Sequence, residues 1–414
     1  MDSDQKYYAD FHIHSKYSMA TSKQMELPFI AKEAKAKGIN LVGTGDFTNP
    51  GWLYLLEEAL KETQREGIYR FEEVDFILTS EVCNIYNEGG QTKKIHSLIM
   101  LPNFEMVRSF NKSVRKFGKL EADGRPILSF SLRDLAESLF SVYEDAILIP
   151  AHLWTPWFGL FGSQSGFDSI EEAFGNYREK IYAVETGLSS DPPMNWLLSS
   201  LDNITLISNS DAHSPANIGR EANCFKEEID YSSLLNILKN QDTNIFDYTV
   251  EFFPQEGKYH YDGHRKCNVT FHPYDSKKHN NICPECGRPL TLGVLHRVYD
   301  LADRDKAKSE GRVGYKRLVP LREIIADSLR VGSKTRAVEE SYIKLTTYFG
   351  NEFRILLDLP EKILLSCAEE KIARSVIKVR NENVEIKPGY DGVYGQILIP
   401  EENPAKVVTQ QSLF

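Results

Sequence analysis

Eight residues of metal-binding type are scattered between positions 12 and 213 of this chain: His12, His14, Asp46, Glu81, His96, His152, Asp211 and His213. Most stand at or just after apolar, β-branched runs. Collected by one fold, they would form a multinuclear metal site. Such a site suits hydrolysis of a phosphate ester, where one metal makes hydroxide and another holds the leaving oxygen. Mixed imidazole and carboxylate donors suit zinc, manganese or iron better than calcium. A carboxylate such as Glu81 would bridge two cations and keep them close.

The elements that must position these residues read as strands. Residues 7–15 form one, and because residues i and i+2 of a strand share a face, His12 and His14 reach the same cluster. Residues 39–46 and 76–81 are buried-type strands ending in Asp46 and Glu81. His96 precedes an apolar run at 97–101 and so opens a strand. Residues 146–152 and 204–213 again end in ligand types. Each residue taken alone reads equally well as a solvated strand end. Five strands tipped this way point to a (β/α) barrel, which gathers its chemistry at the C-terminal strand ends. Ser210, beside Asp211, reads as a strand residue and not as a nucleophile. Arg220, soon after, is a candidate to neutralise phosphate.

A second motif lies in a basic stretch. His264 and Cys267 are followed, after fifteen residues, by Cys283 and Cys286, with Gly287 next. This spacing matches a zinc ribbon, two short knuckles that bring four ligands into a tetrahedron around a structural zinc. His260 and His272 compete with His264 for the fourth position. The net charge of the chain is −10, which argues against a uniformly basic nucleic-acid binder. Residues 258–317, however, hold 13 Lys and Arg against 7 Asp and Glu, so phosphate contacts by this stretch, including Arg265 and Lys266, are compatible with the charge.

The ordered series of motifs in the first 250 residues resembles the polymerase and histidinol phosphatase (PHP) family of metallo-phosphoesterases. The resemblance implies a distorted (β/α)7 barrel with up to three metals. It implies that His12, His14, Glu81 and Asp211 hold one metal and that Glu81, His96 and His152 hold a second, with Asp46 and His213 near a third; Asp211, Glu81 and His152 would be the catalytic core. Two departures bear on the third metal. Phe47 stands where many members have His, and Met19-Ala20-Thr21 stand where a further His is usual. Joined to the ribbon and to the segments 257–267 and 290–304, the barrel is similar to the endonuclease Q family of DNA repair enzymes. That resemblance implies hydrolysis of the phosphodiester 5′ to a deaminated base (hypoxanthine, uracil or xanthine) or to an abasic site, in double- or single-stranded DNA. Zinc would serve the ribbon and the barrel, with Mg2+ or Mn2+ as further catalytic candidates.

A damaged base cannot be inspected inside the stack, so such an enzyme flips it out. Residues 152–167, dense in aromatics and Gly, form a candidate loop for stacking on bases, with Trp154, Trp157 and Phe158 as its contacts. Two other readings are open. A phosphatase for a small phosphomonoester would act on a nitrophenyl phosphate and not on DNA. A non-enzymatic adaptor would bind no metal in the barrel.

At 414 residues the chain is long enough for several domains. The expected division is an α/β catalytic barrel over 1–250, a zinc-ribbon module over 251–299, a small α/β domain supporting DNA binding over 300–400, and a tail over 401–414. In the third segment, 321–329 and 337–349 have helical spacing, while 376–379 and 396–399 read as strands. Gln410-x-x-Leu413 resembles the start of a sliding-clamp-binding peptide. No run of about 18 apolar residues and no apolar N-terminal signal region occur, and the six cysteines do not form a secreted framework. A cytoplasmic location without membrane contact is expected.

Overall fold

Short buried strands carry the N-terminal two-thirds of the protein, and the computed structural model describes them within residues 6–400. The clamp-peptide motif in the tail therefore lies outside the described residues. Three parallel strands, Tyr7–Asp10, Leu41–Gly43 and Val74–Ile77, lie side by side. The helices Leu27–Lys37 and Pro50–Ala59 connect them. Leu27, Ile30, Ala31 and Ala34 recur at three- and four-residue spacing, so one face of the first helix is buried. These strands sit inside an eight-stranded sheet. On one side they continue into Ala222–Phe225, Phe246–Glu251 and Gly314–Arg317.

The remaining ligand-bearing strands do not form a ring of parallel neighbours. Thr79–Glu88 and Gln91–Met100 pair antiparallel over their whole length, and Ile147–Pro150 adds antiparallel to the second of them. The cause is local. Gly89 and Gly90 both take positive φ (60° and 79°), so the chain reverses in a two-residue hairpin and its strands must run antiparallel. Ala183–Glu185 and Thr205–Ile207 form a separate parallel pair. Backbone hydrogen bonds join the sheets near the ligands, from Leu153 N–H to the Glu185 carbonyl and from His14 N–H to the Ala212 carbonyl.

Two consequences correct the sequence reading. His96 lies inside its strand and does not open it, and Glu81 is the third residue of its strand and not the tip. The antiparallel register places Cys83 opposite His96, so Glu81 and His96 are diagonal neighbours on one face.

The ribbon is built on the antiparallel strands Asp262–His264 and Val269–Phe271. Beyond it, Gly314–Arg317 pairs with Phe246–Glu251, so chain from past residue 300 completes the large sheet. The helices Leu321–Leu329 and Arg336–Phe349 form where helical spacing predicts them. Residues 376–379 are helical, within Glu370–Arg380, and not a strand. Their β-branched side chains belong to a longer pattern of buried Ile372, Ala373, Val376 and Val379, and this packing overrides strand propensity. The hairpin Glu385–Lys387 with Gln396–Leu398 ends the described chain. No helix among the described residues is long and apolar enough to cross a membrane.

Candidate metal centre

The strand ends converge on two donor groups that share one carboxylate. In the first, His14 Nε2 lies 3.0 Å from Asp211 Oδ1 and 3.3 Å from Glu81 Oε2. His12 Nε2 lies 3.6 Å from the same Glu81 oxygen and 3.7 Å from Asp211 Oδ1. In the second, Glu81 Oε1 lies 2.8 Å from His96 Nδ1 and 3.0 Å from His152 Nε2. Glu81 thus presents one oxygen to each group.

The donors fit a metal. Ligands about 2.1 Å from a tetrahedral ion stand roughly 3.4 Å from one another, which is the spacing seen here. His12 Nε2, His14 Nε2 and Asp211 Oδ1 are buried with no hydrogen-bond partner, an arrangement that costs free energy unless something else satisfies them. The acids and imidazoles meanwhile compete for protons. Burial opposes charge on His12, but Glu185 and Glu81 outweigh it and hold its pKa well above the ordinary value. Burial likewise opposes ionisation of Glu81, yet His96, His12 and Arg125 keep it well below the usual carboxylate range. His96 goes the other way, pushed down to about 4 by burial, against the Glu81 carboxylate beside it.

The donors are held from behind. His12 Nδ1 bonds Glu185 Oε1 at 3.0 Å, and Asn209 Nδ2 and the His152 N–H brace the same carboxylate at 2.8 and 2.7 Å. His14 Nδ1 bonds Asp46 Oδ1 at 3.0 Å, while Asp46 Oδ2 accepts from the Ser15 N–H, the Ser15 hydroxyl and the Ser18 hydroxyl. Partners of this kind fix the tautomer and aim of a ligating ring. Asp46, His152 and Asp211 all adopt left-handed φ (49°, 30° and 47°), uncommon for residues with a Cβ and concentrated here at the strand ends that make the site.

Asp46 and His213 belong to neither donor group. Both carboxylate oxygens of Asp46 accept hydrogen bonds, and through Oδ1 it orients His14. Phe47, in place of the usual His, is fully buried against Phe110. His213 Nδ1 donates to the Asp211 carbonyl at 2.9 Å, which leaves Nε2 as its free lone pair. The Arg220 guanidinium is turned to the chain, its Nε donating to the Ser210 carbonyl at 2.8 Å, so it braces the segment carrying Asp211.

The aromatic loop divides. Trp154 is buried and bonds Asn195 Oδ1 at 2.7 Å, so it is core and not a DNA contact. Phe158 packs on His96 with tilted rings whose centroids are 4.5 Å apart, and Trp157 is 51 % exposed with Lys94 Nζ 5.4 Å from its ring. Two residues of the site escape the sequence reading. Glu185 ends an apolar strand as Asp46 does, so a signal exists. Arg125, whose Nη1 donates to Glu81 Oε2 at 3.0 Å, follows a segment without periodicity and gives none.

In the ribbon, His264, Cys267, Cys283 and Cys286 bring donor atoms within 4.8 Å of one another, with Cys286 Sγ 3.5 Å from His264 Nδ1. Of the three candidate histidines, His264 is the one grouped with the three cysteines. His272 Nδ1 accepts the Tyr274 N–H as a helix cap, and His260 is buried elsewhere. Arg265 and Lys266 are exposed beside the cluster.

This fold recurs in known nucleases. The protein superposes on a lesion-specific endonuclease from Pyrococcus furiosus with a TM-score of 0.86 and 35% identity, covering 99% of this chain and 100% of that one. An endonuclease Q bound to a 27-mer duplex substrate with an abasic lesion at its active site matches with a TM-score of 0.83 and 35% identity, over 96% and 98% of the two chains. The uncharacterized Bacillus subtilis protein YqxK is 30% identical over 95% of this chain and 99% of its own length. The uncharacterized Methanocaldococcus jannaschii protein MJ0043 is 35% identical over 253 residues, 59% of this chain, and the match spans only 31% of that longer protein. The family model described as the MJ0043 C-terminal domain matches residues 320–383. An α/β scaffold shared along nearly its whole length with lesion-directed nucleases, with clustered His, carboxylate and Cys donors, defines the class. Within it, the chain belongs to the endonuclease Q family.

Proposed function

We propose that this protein is a metal-dependent DNA repair endonuclease that hydrolyses the phosphodiester 5′ to a deaminated base (hypoxanthine, uracil or xanthine) or to an abasic site. The observation that carries this reading is the pair of donor groups bridged by Glu81 in a chain matched end to end by lesion-directed nucleases. We assign the donor-bearing region to the PHP type.

Divalent metal ions held by His12, His14, Glu81 and Asp211, and by Glu81, His96 and His152, would supply Lewis acidity, activating water and offsetting charge on the phosphate. The chain's own residues do the rest. Glu185 and Asp46 fix the rings of His12 and His14, so the donors are aimed before substrate arrives. His12, His14 and Glu81 are enclosed, whereas Asp211 and His213 are 28 and 29 % exposed, so the scissile phosphate approaches on their side. His213 Nε2 is placed there to take or give a proton. Trp157 and Phe158 lie at the rim, where an aromatic face can receive a base turned out of the stack. Arg265 and Lys266 offer phosphate contacts from the ribbon, whose zinc is structural.

The test is cleavage of an end-labelled duplex carrying one hypoxanthine, with Mn2+ or Mg2+, by wild type and by Asp211→Asn. A single nick 5′ to the lesion, absent in the variant, is the expected result. Well-folded, metal-loaded protein that leaves hypoxanthine, uracil and abasic duplexes intact would sink the reading.

A further inference from the structure

The cation that the sequence offers for the substrate phosphate, Arg220, is turned to backbone carbonyls. Another cation stands at the centre itself. Arg125 Nη1 donates to Glu81 Oε2 at 3.0 Å, the oxygen that also faces His12 and His14. Its side chain is 24 % exposed, intermediate like those of Asp211 and His213, while the rest of the first donor group is enclosed. The bond to Glu81 uses one of the five N–H groups that a guanidinium carries.

The chain around Arg125 is clamped. A Cβ on Gly124 would run into the Asp46 carboxylate and the Ser18 hydroxyl. The Gly124 N–H donates to the Tyr17 carbonyl, and its own carbonyl accepts from the Thr48 hydroxyl, both at 3.1 Å. Only glycine lets this segment approach Asp46 so closely. Asp46 itself accepts hydrogen bonds from Ser15, Ser18 and His14.

We infer that Arg125 is a catalytic residue that binds a non-bridging oxygen of the scissile phosphate and serves as a fixed third cation beside the metal pair. The inference rests on the phosphodiester reading above. A guanidinium suits the task because it stays charged, is planar, and keeps donors to spare after one is spent on Glu81. Held in place before the reaction, it stabilises negative charge where that charge develops. The competing role is purely positional, with Arg125 only steadying Glu81.

The two roles separate in metal-loaded wild type, Arg125→Lys and Arg125→Ala. Metal content is measured by mass spectrometry and binding of inorganic phosphate by calorimetry. Lesion duplexes with Rp or Sp phosphorothioate at the cleaved position complete the set. The expected result is unchanged metal content, phosphate binding weakened about tenfold or more by Arg125→Ala, and partial recovery in Arg125→Lys. The preference for one thio diastereomer should collapse in Arg125→Ala. Phosphate binding that is absent in wild type or unchanged in Arg125→Ala overturns the inference, as does a fall in metal content. If wild type cuts no lesion duplex, the endonuclease reading fails, while phosphate calorimetry still decides whether Arg125 binds phosphate.

Discussion

The centre among the N-terminal strands draws its donors from five separate segments between His12 and Asp211, whereas the ribbon draws all four of its donors from His264 to Cys286. Behind the first stand Glu185, Asp46, Asn209 and two serines, each bonded to a donor or to the group that holds it. The ribbon donors are partly open to solvent except for buried Cys283, and the contact recorded for the His264 ring is to Cys286 itself. The difference teaches which way cause runs. At the first centre the fold arranges the donors in advance of any ion. In the ribbon, on the proposed reading, an ion would be part of the fold, as in small zinc modules whose binding free energy is folding free energy.

The largest effect expected from this contrast is on activity. Glu81 gives one oxygen to each donor group, so Glu81→Gln weakens both together. Lesion cleavage should fall by about 10³-fold or more, roughly 4 kcal/mol of barrier, with circular dichroism and thermal melting close to wild type. A variant that loses its secondary structure would show that this centre, too, depends on its ions for folding.

The ribbon should behave in the opposite way. Cys283→Ser, or zinc removal, is expected to raise amide exchange across residues 264–291 by about 100-fold. The hairpin Thr79–Glu88 with Gln91–Met100 should keep its protection. The effect should stop at the helix Val294–Leu301, which is fastened independently. Arg297 on that helix donates to the Phe161 carbonyl at 3.1 Å and to the Phe167 carbonyl at 3.2 Å. Loss of protection spreading into the hairpin would break the comparison.

The same contrast explains what could be read from the sequence. The clustering of donor-type side chains was legible because each needs a particular residue at a strand position, and the structure brings together the residues of the two groups that the resemblance names. The ribbon was legible because its spacing is local. The topology was less so. Gly89-Gly90 marks a hairpin, but two long antiparallel strands within an otherwise parallel α/β pattern are a tertiary choice. Residues 376–379 look like a strand in isolation, since only the wider spacing back to Ile372 reveals the helix. The division of labour among donors and their supports was least legible. Asp46 and Glu185 each end an apolar run, and nothing in sequence tells a carboxylate facing an ion from one facing the back of a histidine.

Sharpening that last distinction is the purpose of Glu185→Gln. The amide keeps the shape but removes the charge behind His12 and one acceptor of the His12, His152 and Asn209 contacts. Metal affinity and cleavage should each fall by about 10- to 100-fold, less than for Glu81→Gln, because a partner of the ligand is altered and not the ligand. An effect as large as that of Glu81→Gln would mean that Glu185 itself faces an ion.

A smaller effect separates the interior of the large sheet from the ribbon by pH. The buried carboxyl of Glu251 is pushed up to about 8, first by burial and also by Asp191, against hydrogen bonds from Thr249 and Thr186. The folded state therefore holds this proton while the unfolded chain, with an ordinary carboxyl near 4.5, releases it. Stability from this group is complete below that lower value and is lost as pH rises through about 8. Glu251→Gln should flatten the decline by about 1–3 kcal/mol, measured by urea unfolding across that range. A decline of the same slope in the variant would place the titration elsewhere.

The smallest effect on activity concerns the loop between the two regions, which the ribbon-side helix grips through Arg297. Trp154 and Trp157 stand three residues apart on it, one buried on Asn195 and the other 51 % exposed beside Lys94. A buried indole contributes to the fold, and Trp154→Ala should cost about 3–5 kcal/mol of stability. An exposed indole at the rim of the centre contributes only when something stacks on it. Trp157→Ala should leave the melting temperature within about 1 °C. It should raise KM for the lesion duplex by about tenfold, within the 1–3 kcal/mol typical of base stacking. Unchanged KM and kcat in a folded Trp157→Ala would remove the loop from DNA recognition and leave it as packing that joins the ribbon to the N-terminal sheets.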